Sequence, residues 1–171
     1  MTSSLHSISS IPEMEKAIET IFRVSPMRNP IPPVLITLPY SVELEFFMNA
    51  LCDELEDAGC ISFTGERRWL NFRLDYPENQ DFSSFSLMLQ CLHRFSGYRN
   101  SFGGVVRIDL PDWTDHTDDP KLSAVFAYVH DYSDSVFFIL SVTTDEPACA
   151  DALEKEANKW MHTVTADASC P

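Results

Sequence analysis

Two rhythms of apolar residues alternate along this chain. Short continuous runs, such as VLITL (34–38) and SVFFILSVTT (135–144), are separated by stretches whose apolar positions fall three and four apart. Continuous runs suit strands covered on both faces, and the wider spacing suits helices with one buried stripe. After the strand at 34–38, Ser41 is placed to cap a helix reaching about Ala58, with Phe47, Ala50, Leu51, Leu55 and Ala58 as its stripe and Gly59 as its stop. CISFT (60–64) and WLNFRLDY (69–76) read as a hairpin or as one strand with an irregular approach. A helix over 83–95 aligns Phe85, Met88, Leu89, Leu92 and Phe95, and GVVRID (104–109) is the next strand. Asp119 caps the following helix, with Pro120 at its first position and Leu122, Val125, Phe126 and Val129 inside. The run at 135–144 is the most apolar and is expected at the centre of the sheet. Asp145 and Pro147 open a last helix through about Trp160, and HTVTA (162–166) closes the pattern as a strand. Such alternation predicts an α/β fold, a three-layer αβα sandwich with a mostly parallel sheet.

The first third reads differently. Residues 1–10 are Ser-rich and are expected to fray. EMEKAIETIFRV (13–24) is a short helix with Met14, Ile18, Ile21 and Phe22 on one face. SPMRNPIPP (25–33) holds four of the eleven prolines and reads as an extended connector. The expected organisation is an N-terminal helix and Pro-rich connector over 1–33, followed by one α/β domain over 34–171.

A chain of 171 residues can bury about 70% of its unfolded surface, enough for a real core. Its 26 acidic against 12 basic residues give a net charge of −14. That charge repels nucleic acid and anionic membrane surfaces, and the densest basic stretch, ERRW (66–69), is too small to reverse it. The five cysteines (52, 60, 91, 149 and 170) form no CxxC pair and no zinc-ligand spacing. Unpaired cysteines within regular elements suit a reducing compartment. No apolar run approaches the ~20 residues that span a bilayer, and the N-terminus lacks the apolar core of a signal peptide. A cytoplasmic location is therefore expected.

The strand ending in Asp109 and the strand ending in Thr143 and Thr144 carry a resemblance. With the strand and helix that precede them, their order resembles the core of AAA-type P-loop ATPases over residues 34–166. The resemblance implies that the strand at 34–38 leads toward a phosphate loop. It implies that Asp109 stands where a magnesium-organising acid would be, and that Thr143 and Thr144 stand near a γ-phosphate sensor. The segment TLPYSVELE (37–45), however, has neither the Gly nor the Lys that a phosphate loop needs. Pro39 removes a backbone donor, and Glu43 and Glu45 bring negative charge to the start of the helix. Leu110 stands where many such ATPases carry a water-activating glutamate. The implied function is non-catalytic: a pseudo-ATPase-like domain serving as a protein-interaction or scaffolding subunit, with a protein partner or in a homo-oligomer, and without a cofactor.

Two further constellations bear on function. DLPDWTDHTDD (109–119) gathers Asp109, Asp112, Asp115, Asp118 and Asp119 around His116, as a divalent-metal-dependent enzyme or small-ligand site would. Its spacing misses the Gly and Glu of a calcium loop, and turn formation with a helix cap accounts for the same residues. Arg107 shares a strand face with Asp109, because residues two apart point the same way. A guanidinium beneath a helix needs a partner, and Asp109, Glu43 and Glu45 are the candidates. Such a pair would fill the space of a phosphate and its Lys. No GxSxG, HExxH or GxGxxG occurs.

Overall fold

The computed structural model describes residues 4–8, 10, 14, 16, 33–57, 70–76, 105–111, 113–131, 133 and 137–166. The strands are β1 (Ser4–Ile8), β2 (Val34–Leu38), β3 (Leu70–Arg73), β4 (Val105–Asp109), β5 (Phe137–Thr143) and β6 (His162–Ala166). They form one sheet in the order β1-β6-β2-β5-β4-β3, and every pairing is parallel. The helices are α1 (Leu44–Asp57), α2 (Pro120–Asp131) and α3 (Pro147–Ala157), with a short 3-10 turn at Thr114–His116.

Alternation along the strands sorts the apolar side chains onto two faces. Val34, Ile36 and Leu38 of β2, Phe137 and Ile139 of β5, and Val164 and Ala166 of β6 pack with Phe47, Met48, Leu51 and Cys52 of α1. On the opposite face Leu35, Val106, Ile108, Phe138, Leu140 and Val142 meet Leu122, Val125, Phe126 and Val129 of α2 and Cys149, Leu153 and Ala157 of α3. A parallel sheet has to be covered this way, because crossovers carry helices over its faces. The expected three-layer α/β sandwich is what forms, with apolar β5 beside β2 at the centre of the sheet.

Several local expectations change. Residues 4–8 do not fray: they pair with β6 from Ser4 opposite Thr163 to Ile8 opposite Ala166. Backbone hydrogen bonds hold such a strand whatever its composition. Glu43, and not Ser41, caps α1; its carboxylate accepts from the N–H groups of Glu45 at 3.3 Å and Phe46 at 2.7 Å. Asp145 does not cap α3. It accepts from Tyr40 N–H at 2.9 Å, tying the exits of β2 and β5 together, and Glu146 takes the cap position. Asp119 does cap α2, accepting from Lys121 N–H at 2.9 Å. Met14 is helical and buried against the α1 side of the core. The rest of the 13–24 helix, most of the 25–33 connector, residues 60–69 and the helix at 83–95 lie outside the described residues.

Candidate functional site

The carboxyl ends of β2, β4 and β5 open beside the start of α1, where open α/β sheets place their ligands. The cleft there measures about 610 Å³ and is bounded by the β2–α1 turn, Asn71 to Arg73 of β3, Asp109 to Pro111, Ser141 and Thr143. Its shape follows from strand order. Because β5 lies between β2 and β4, Asp109 stands opposite Ser141, and Leu38 opposite Thr143. Backbone bonds continue past the strand ends, from Leu110 N–H to Ser141 O and from Thr144 N–H to Leu38 O, both at 2.9 Å.

Arg107 is the floor of this region. Val106 and Ile108 belong to the α2 and α3 side, so Arg107 and Asp109 point toward α1. The guanidinium holds two carboxylates at once. It donates from Nε to Asp109 Oδ1 at 2.9 Å and from Nη2 to Asp109 Oδ2 at 2.8 Å. It also donates from Nη2 to Glu45 Oε1 at 2.8 Å and from Nη1 to Glu45 Oε2 at 3.3 Å. Ser141 Oγ adds a 2.6 Å donation to Asp109 Oδ1. The side chain of Arg107 is 1% exposed, that of Asp109 16% and that of Glu45 59%. Burial alone lowers the guanidinium's pKa. The bonds to Asp109 and Glu45 more than offset it, so the pKa stands above its ordinary value and the group stays charged.

The expected residues therefore divide. Asp109, Thr143 and Glu43 reach the cleft. Glu45, and not Glu43, completes the ion pair with Arg107, since Glu43 is engaged by the helix N–H groups. Thr144 turns away: it is buried and accepts from Glu146 N–H at 3.1 Å. Ser141 and Tyr40 were not singled out from the sequence, although a lone serine inside FFILSV was a visible signal for the first.

The acidic loop folds toward the α2 side and builds a different structure. Tyr76 stacks on His116 with ring centroids 3.6 Å apart and meets Trp113 edge-on at 5.1 Å. Its hydroxyl donates to Asp119 and accepts from Lys121 Nζ at 3.0 Å. Trp113 donates from Nε1 to Leu74 O at 2.9 Å, which fastens the chain after β3 to the chain after β4. Asp115 is exposed, and Asp112 lies outside the described residues. Among the described residues, no three His, Cys, Asp or Glu side chains gather as a metal site. Cys149 is buried with its thiol 3.4 Å from Thr114 O, and burial pushes its pKa up, which disfavours a thiolate nucleophile.

Asp119 makes a pH dependence visible. The Tyr76 hydrogen bond, then the Lys121 N–H, hold its carboxyl below the ordinary aspartate range. A depressed folded pKa contributes stability that is present above the unfolded value, about 3.9, and is lost as pH falls through the folded one. The urea-midpoint gap between wild type and Asp119→Asn should be constant near neutrality and shrink on acidification below that value. A gap independent of pH would show that the carboxylate charge is not used.

Among the described residues, no helix is long and apolar enough to cross a membrane. No family model matches the sequence, and no curated protein is similar to it. Among solved structures the chain is similar to C. elegans PCH-2, at 12% identity and a TM-score of 0.49, over 91% of this chain and 41% of that one. The chain thus spans about two-fifths of the length of that structure.

Proposed function

We propose that this chain is a non-catalytic, pseudo-ATPase-like α/β domain that acts as a protein-interaction or scaffolding subunit. The observation that carries the reading is the double engagement of Arg107 by Asp109 and Glu45 at the start of α1. A helix start attracts anions through its free N–H groups and dipole. Here Glu43 already accepts from two of those groups, and Glu45 meets the nearby cation. A phosphate entering the cleft would meet carboxylates instead of donors. Tyr40 and Phe46, both 64% exposed, stand by the cleft as large apolar surface of the kind used in protein contacts.

Calorimetric titration with Mg-ATP and Mg-GTP is expected to show no binding heat, and phosphate release should stay at the level of the buffer. Saturable binding of either nucleotide at low micromolar concentration would overturn the reading. Sedimentation equilibrium of the purified chain then separates a self-associating subunit from one that needs a different partner.

A further inference from the structure

We propose that the cleft above Asp109 receives the ammonium or guanidinium group of a Lys or Arg side chain contributed by a partner protein. The inference rests on the non-nucleotide reading above and names the partner's chemistry. It starts from the hydrogen-bonding capacity left in the cleft once the internal bonds are made. Arg107 donates to Asp109 from Nε and Nη2 and to Glu45 from Nη1 and Nη2, which leaves one of a guanidinium's five N–H groups. Ser141 gives its proton to Asp109 and can only accept further. Glu43 accepts two bonds, Glu45 two and Asp109 three. With about four lone-pair sites per carboxylate, roughly five acceptor sites remain against that one donor. The occupant that fits must therefore donate hydrogen bonds and carry positive charge.

The surroundings favour the same occupant. Arg73, the basic residue on the cleft wall, is paired with Asp75 at 2.9 Å, so it does not reverse the acidic lining. Tyr40, Leu44, Phe72, Leu110 and Pro111 give an apolar wall for the stem of a long basic side chain, and an exposed tyrosine ring also attracts a cation. The net charge of −14 steers cationic partners toward the molecule. A protein is a better source than a free amine because the opening is far larger than one ammonium group. Phe46 lies in the same helical turn as Glu45, beside the cleft, and extends the contact surface.

The test is titration of the full chain with acetyl-Leu-Arg-Leu-amide, followed by amide 1H–15N spectra. The same peptide with Glu or norleucine at its centre, and butylamine alone, are the comparison probes. The Arg peptide should shift the amides of Glu45, Phe46, Asn71 and Leu110 saturably and more weakly at high salt, whereas the Glu and norleucine peptides should not. Tyr40→Ala, at an exposed position, and Glu43→Gln should each weaken the Arg peptide by roughly fivefold, the loss of one cation contact. Equal binding of the Glu peptide, no binding of any peptide, or shifts that map away from the cleft would overturn the site. Butylamine binding as tightly as the peptide would overturn the protein source. If the peptides fail and Mg-ATP also fails to bind, only this inference falls. If Mg-ATP binds in the cleft, the non-nucleotide reading falls with it.

Discussion

Replacing Asp109 with Ala is expected to lower the folding stability by about 3–5 kcal/mol, the cost of stripping a buried charge of its close partner. Arg107 is 1% exposed and lies under α1, so its guanidinium cannot reach water to make up the loss. Glu45 would remain, but at 59% exposure its attraction is screened by solvent. Ser141 Oγ, which donates to Asp109 at 2.6 Å, would lose its acceptor as well. Glu45→Gln should cost under about 1 kcal/mol, because one end of that pair is solvated. In a chain of this size each kcal/mol lowers the melting temperature by about 2–4 °C, so thermal unfolding separates the two variants easily. Comparable losses for both would mean that Glu45, and not Asp109, holds Arg107. A loss under about 1 kcal/mol for Asp109→Ala would mean that the guanidinium finds solvent when its partner is removed.

Trp113→Ala should destabilise by a similar amount, about 3–5 kcal/mol, through the cavity left by a large buried ring. Trp113 is 0% exposed and belongs to the core between the sheet and α2 and α3. Its indole also donates to Leu74 O and supports Tyr76 edge-on, so the loss extends to the chain leaving β3. Trp113→Phe keeps part of the volume and loses the hydrogen bond, and a smaller loss is expected. Denaturant unfolding measures both. If Trp113→Ala unfolds at the wild-type midpoint, the loop does not depend on its tryptophan for anchorage. Because Tyr76 carries the stacked His116 and the bond to Asp119, the alanine variant should also lessen the acid sensitivity assigned to Asp119.

The sequence by itself determined the layers. VLITL and SVFFILSV are apolar on both sides of the strand, and only a sheet covered by helices on two faces can hide them. The stripe Leu122, Val125, Phe126 and Val129, with Asp119 and Pro120 at its start, likewise states helix, boundary and buried face locally. These features depend on neighbours within a few residues, and a linear pattern contains them.

Only the tertiary structure decided which charges meet. Glu43 and Glu45 are equivalent in sequence as acids at a helix start, but residues two apart on a helix face different ways. One therefore turned back to cap α1, and the other reached Arg107. Residues 4–8 were judged by their serines, yet a strand at the edge is held by backbone bonds to β6, about which composition says nothing. The acidic loop looked like a ligand set because its carboxylates are crowded along the chain. In three dimensions Asp109 went to the α1 face and Asp119 to Tyr76, because the chain crosses the end of the sheet between them. Spacing along the sequence fixes faces over a turn or a pleat; pairing across 62 residues, as between Arg107 and Glu45, is set by strand order and helix placement.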